Sequence, residues 1–264
     1  MNPPKSAEFG ARDDTELHFN ALSESYHQSR RGYLSRIMAD CAEIAARTAR
    51  GSCPFILDVG CGTGISTRAL AALGSQVIGV DADLAMIKEA LADTGPRVAY
   101  ACCDAKSIPW NDHTFDAIVS FGAFHWFASD GAVAELYRLL RPGGALIIVN
   151  KIDKGDLRKI VRSITAKYGS SVRDPKVGYN PAKLLKDRRF KGVCVTNVHD
   201  REIYAPGELA AHIRTMAPWG MIRPPDQEFV MREILTAIAP NNSSQLFVER
   251  PLRCRIVIGY KPKQ

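Results

Sequence analysis

The stretch FILDVGCGTGISTRAL, residues 55–70, places one carboxylate, Asp58, just ahead of three glycines at alternate positions, Gly60, Gly62 and Gly64. A strand that runs through a glycine turn into a helix lets the charged end of a ligand approach backbone N–H groups at the helix N-terminus. Different ligands require different spacings. A phosphate loop needs G-x-x-x-x-G-K-[ST], but Ile65 and Ser66 follow Gly64 and no lysine is in place. The dinucleotide fingerprint G-x-G-x-x-G is met at Gly60 and Gly62, yet its third glycine comes one residue early, at Gly64. Asp58 would repel a pyrophosphate and suits a ligand that carries positive charge.

Other residues able to do chemistry stand downstream. Asp81 closes the apolar run QVIGVD and Asp104 follows RVAYACC, so acids recur at successive strand ends. An acid like Asp81 can hold ribose hydroxyls in several nucleotide-binding families and does not choose among them. His125 lies in FGAFHWF, after the fourth apolar run, and is the available general base. An aromatic cluster of that kind serves core packing as readily as a pocket wall. Seven cysteines (Cys41, Cys53, Cys61, Cys102, Cys103, Cys194 and Cys254) show no C-x-x-C pairing, which weighs against a zinc site or a disulfide framework. No metal is expected, and Cys61 reads as a small residue within the turn.

The elements that position these groups follow from periodicity. Residues 15–49 carry apolar positions at roughly 3.6-residue spacing and predict a helix before the first strand. Strands are expected at 55–59, 76–81, 97–105, 114–120 and 145–150, with helices at 66–73, 84–92 and 131–140 between them and RPGG as a turn. Strand alternating with helix specifies a mostly parallel, doubly covered α/β sheet, here seven-stranded with an N-terminal helical cap. Beyond residue 150 the pattern weakens to helices over 154–168, 207–216 and 227–239 and strands at 193–199 and 254–260. We divide one domain into a cap (1–50), a ligand-binding core (51–150) and a second-substrate region (151–264).

With 46% hydrophobic and 24% charged residues the composition is that of a soluble globular protein. No apolar run approaches bilayer length and MNPPKSAEFGARDD lacks a signal-peptide core, so a cytoplasmic location and no membrane partner are expected. A net charge of +7 leaves nucleic acid, anionic surfaces or an acidic small substrate open. The basic residues cluster at 151–162 and 183–191 without aromatic interleaving, which favours solvated helix faces over nucleic acid.

Taken together, D-V-G-C-G-T-G, Asp81, Asp104 and ELYRLLRPGG resemble a class I S-adenosylmethionine-dependent methyltransferase. SYHQSRRGY (Tyr26, Arg30, Tyr33), FGAFHWF and RTMAPWG are similar to segments of its small-molecule members of the trans-aconitate methyltransferase type, with Arg31 where that pattern has proline. The resemblance implies S-adenosylmethionine as donor, with Asp81 on the ribose, Asp104 by the adenine amine, and Tyr26 and Arg30 near the methionine end. Asp58, Gly60, Cys61, Gly62, Gly64, Ala82, Met86, Ala105 and Ser120 complete the donor site. Tyr33, Phe124, His125, Trp126 and Trp219 would face a small-molecule acceptor, a carboxylate-bearing metabolite among the candidates, with His125 as base for a hydroxyl or amine; oligomeric state is left open. Two alternatives fit less well: nucleic-acid methylation, because FGAFHW replaces the N/D-P-P-Y segment used on base amino groups, and a non-catalytic S-adenosylmethionine-binding regulatory protein, because the motif set is filled.

Overall fold

Short apolar runs bounded by glycine and acid become the central strands: β1 (Phe55–Val59), β2 (Gln76–Asp81), β3 (Val98–Cys102), β4 (Phe115–Phe121) and β5 (Leu140–Asp153). The structure, a computed structural model, describes residues 31–170, 179–238 and 247–263. With β6 (Lys191–Tyr204) and β7 (Val248–Tyr260) they form one seven-stranded sheet in the order β3-β2-β1-β4-β5-β7-β6. β1 to β5 are parallel, and β7 runs antiparallel between β5 and β6.

A parallel sheet must be covered on both faces. Leu57, Val59, Ile118, Leu146 and Ile148 point into one core, shared with Val133 and Leu136 of α5 (Asp130–Leu139) and Leu185 of α7 (Pro181–Asp187). Ile56, Val77, Val119, Ile147 and Val149 point into the other, under α1 (Ser35–Thr48) and α2 (Ile65–Ala72). Of the helix predicted over 15–49, residues 35–48 form α1, residues 31–34 are described and not helical, and residues 15–30 lie outside the described residues. Between β2 and β3 runs α3 (Leu84–Ala92), and α4 (Phe124–Phe127) follows β4.

The last three strands are longer than their apolar cores suggest. Leu140 already pairs with Phe115, and a register shift between Phe115 and Ala117 takes up the Pro-Gly-Gly, so RPGG is extended strand rather than a free turn. At the other end β5 reaches Asp153, because β7 pairs with it from Ala145↔Tyr260 to Asp153↔Leu252. The short helix α7 was not anticipated, although Asn180 caps it through the Lys183 amide and Pro181 opens it.

Residues beyond β5 build a third core. α6 (Leu157–Lys167), α8 (Pro206–Arg214), α9 (Gln227–Ile238) and the turn at Trp219 bury Val161, Ile213, Trp219 and Ile234 together. Buried charges tie the outer ends of β5, β6 and β7 together, and His212 of α8 reaches the cluster at 3.2 Å from Arg250. Glu202 accepts from Lys151 at 2.6 Å, from Arg250 at 3.0 Å and from the Tyr204 hydroxyl at 2.6 Å, while Arg250 also reaches Asp153 at 2.8 Å. Burial opposes ionisation of Glu202, but the Lys151 charge and these donors outweigh it and hold the carboxyl down at about 2. Lys151 further donates to the carbonyls of Arg31 and Gly32, which ties the chain leading into α1 to the end of β5.

Candidate functional site

The glycine turn sits at the carboxyl ends of the parallel strands, where an α/β sheet opens a crevice. Gly60 and Cys61 donate their amides to the Val80 carbonyl at 2.8 and 3.1 Å, pinning the turn to the end of β2. Gly60, at φ 72°, lies so close to the segment after β4 that a Cβ there would come within 2.4 Å of Ala123 Cβ. Gly62, at φ 54°, has nothing within 4 Å of where a side chain would start, so the middle of the turn faces open space. Gly64 forms the left-handed N-cap of α2.

Asp58 is fully buried beneath this turn. Its Oδ2 accepts from the hydroxyls of Ser66 and Thr67, both at 2.7 Å, and thereby fastens β1 to the first turn of α2. The second oxygen, Oδ1, has no hydrogen-bond partner among the described residues. Burial pushes the carboxyl up to about 6 against the two hydroxyl donors. The sequence suggested Asp58 as a charge beside a ligand; the structure adds that Ser66 and Thr67 hold it, a role that their positions one helical turn on could have signalled.

Asp81 reaches across the same turn. Its Oδ2 accepts the Gly62 amide at 2.8 Å and its Oδ1 the Asp83 amide at 3.0 Å, so a partly buried carboxylate stands at the rim of the open space. Burial raises its pKa, with the two amides opposing. Asp83 caps α3 by accepting from Ala85 and Met86; Ala82 is exposed and Met86 buried. Asp104 is exposed and accepts from the Lys106 amide at 2.8 Å, beside the buried Ala105. Cys61 is buried, and burial lifts its thiol well above the ordinary range, which leaves it inert as a nucleophile.

The aromatic segment after β4 forms the adjoining wall. Phe124 is wholly buried against Phe127, while His125 is half-buried, its ring centred 5.0 Å from Trp126 and 6.1 Å from Tyr179; Trp126 is 43% exposed. Tyr33 packs on Phe121 at 5.0 Å, with its hydroxyl toward the Val149 carbonyl and the Lys151 ammonium 4.8 Å from its ring centre. Ser120 is buried at the end of β4, and its Oγ has no hydrogen-bond partner among the described residues. Trp219 is packed inside the third core. Tyr26 and Arg30 lie outside the described residues. Tyr179 and Asn150 were missed from the sequence; the Asn150 amide donates to the Tyr179 hydroxyl at 3.3 Å behind His125. Among the described residues there is no group of three or more His, Cys, Asp or Glu that could hold a metal, and no helix long and apolar enough to cross a membrane.

Known proteins resemble this chain in part of its sequence and in its fold. Residues 57–148 match the methyltransferase domain family. An uncharacterised methyltransferase of Mycobacterium tuberculosis is 32% identical over 167 residues, covering 62% of this chain and 65% of its own length. The chain thus spans less than two thirds of the length of the curated relatives it matches first. Among solved structures, one assigned to the type II methyltransferases of Anaeromyxobacter dehalogenans superposes with a TM-score of 0.66 at 23% identity, over 89% of this chain and 99% of that one. Phosphoethanolamine N-methyltransferase 2 of Haemonchus contortus, solved with S-adenosyl-L-methionine, gives 0.58 at 18% identity, over 96% of this chain and 61% of that one. In sequence, residues 57–148 resemble a methyltransferase domain, and in fold the chain resembles solved methyltransferases, with that stretch as the core around which the remainder is built.

Proposed function

We propose that this chain is an S-adenosylmethionine-dependent methyltransferase that acts on a small-molecule acceptor. The observation that carries the reading is the turn itself: an open glycine, Gly62, whose amide is held by the Asp81 carboxylate at the mouth of a parallel sheet. The residues fit the donor. Asp81 keeps lone pairs for ribose hydroxyls, each oxygen having used one on an amide. Asp104 would face the adenine amine, Ala82, Met86 and Ala105 would flank the nucleoside, and Cys61, Gly60, Gly64 and Ser120 would line the sulfur end. Asp58 would act from below the turn through its charge. The domain match and the Haemonchus enzyme's complex support the same donor.

When bound, S-adenosylmethionine supplies a methyl group on a sulfonium, open to displacement. The protein's task is to align an acceptor atom with that methyl and to exclude water. Trp126 and Tyr33 would shape the acceptor side, while Phe124, wholly buried, and Trp219, inside the third core, would support it from within. His125, at the carboxyl end of β4, would take the proton from a hydroxyl or amine acceptor. The finer kinship with the trans-aconitate methyltransferase group, a cytoplasmic setting, and donor contacts from Tyr26 and Arg30 belong to the same proposal. Calorimetry tests it: Asp81→Ala should weaken S-adenosylmethionine binding by roughly tenfold to a hundredfold, the scale of lost hydrogen bonds to a charged group. Unchanged affinity in a folded variant would overturn the donor assignment. His125→Ala should lower turnover far more than donor affinity.

A further inference from the structure

Next to the donor turn, on the sheet face that carries His125 and Tyr179, lies a set of polar groups that the fold buries without using. Contact runs outward from the turn in short steps: Gly60 abuts Ala123, Gly122 donates to the Val149 carbonyl at 2.7 Å, and Asn150 is the next residue of β5. Asn150 is 5% exposed; one end of its amide is spent on Tyr179, while Oδ1 has no partner among the described residues. Ser120, fully buried one strand away, points to the same face, because its register partner Ile148 lies two residues before Asn150.

Two cations complete the set. Register places Arg255 opposite Asn150 and Arg253 opposite Ile152, and directly paired residues of an antiparallel ladder present their side chains on one face about 5 Å apart. Both arginines are partly buried, neither has an ion-pair partner among the described residues, and Arg253 Nε is buried without a hydrogen bond. Burial pushes the Tyr179 phenol up to about 12, against the Asn150 hydrogen bond and the nearby Arg255 charge. The contrast is with Arg250 on the opposite face, whose charge is fully met by Asp153 and Glu202. A guanidinium fork is suited to the paired oxygens of a carboxylate or phosphate.

We infer that Arg253 and Arg255 form the anion anchor of the methyl acceptor, with Asn150 and Ser120 holding the acceptor's polar body between that anchor and the donor turn. The acceptor is therefore an anionic small molecule, a carboxylate or a phosphomonoester, whose charged end lies over β7 and whose reacting atom lies over the ends of β4 and β5. This rests on the methyltransferase reading, and the test keeps the two apart. Full-length protein is first saturated with S-adenosylhomocysteine, then titrated by calorimetry with succinate in one arm and glycerol 3-phosphate in the other. At least one should bind with one-to-one stoichiometry, and the arm that binds names the anion. Arg255→Met and Arg253→Met should each weaken that binding at least tenfold, and Arg255→Lys should restore most of it, while S-adenosylhomocysteine affinity stays within twofold. Binding of neither anion, or binding equal in Arg255→Met and wild type, would overturn the anchor. Failure of wild-type protein to bind S-adenosylhomocysteine would instead overturn the donor reading.

Discussion

Asp58 shows how one buried carboxyl beneath the candidate site can oppose stability. Its carboxyl titrates near 6 in the fold because it is buried, against about 3.9 in an unfolded chain. A raised acid favours the folded state fully only below its unfolded value, and that contribution is lost as pH rises through about 6. Asp58→Asn should therefore stabilise donor-free protein at pH 7.5 by on the order of 2 kcal/mol and have little effect at pH 4, as read from urea denaturation. A cationic ligand draws the proton off, so wild-type affinity for S-adenosylmethionine should climb several-fold between pH 5 and pH 7, and the variant should show no such climb. The glycines, Asp58 and Asp81 were legible because motif spacing is local. Asn150, Tyr179, Arg253 and Arg255 were not, since only strand pairing and α7 bring residues about 30 to 105 positions apart onto one face.

Among the elements, the strand–turn–helix unit of β1 and α2 is the least tolerant. Gly60→Ala forces a side chain into a left-handed backbone, costing roughly 1–2 kcal/mol, and drives its Cβ onto Ala123 besides. A fall in Tm of at least about 4 °C by calorimetry, together with loss of donor binding, is expected. The bounds of β1, β2 and α3 were readable to the residue because apolar runs stop at glycine or acid. β5, β6 and β7 were read short for a physical reason: their outer halves are polar, KID in β5 and VERPLR in β7, and stay extended through the ladder with each other. Propensity alone carries no sign of such a ladder.

At the scale of the whole molecule, Glu202, Arg250, Asp153 and Lys151 tie the outer ends of β5, β6 and β7 together, and His212 of α8 joins the C-terminal helical layer to them through Arg250. Glu202 is held near 2, below the ordinary carboxylate range, so its stabilisation is present above about pH 4 and is lost as pH falls through about 2. Glu202→Gln should cost roughly 3–5 kcal/mol at neutral pH, because Lys151 and one side of Arg250 lose their counter-charge, and should flatten the acid limb of unfolding. The parallel half of the sheet and the crevice it opens were legible from alternating periodicity, and so were the three helices α6, α8 and α9; their packing into one layer was not, because they come from distant segments. The most direct measurement is a crystal structure with S-adenosylhomocysteine bound. The ribose hydroxyls should lie within hydrogen-bond distance of Asp81, the nucleoside beside Gly62, and the sulfur toward Ser120 and Asn150; product bound elsewhere, or without contact to Asp81, would contradict the assignment.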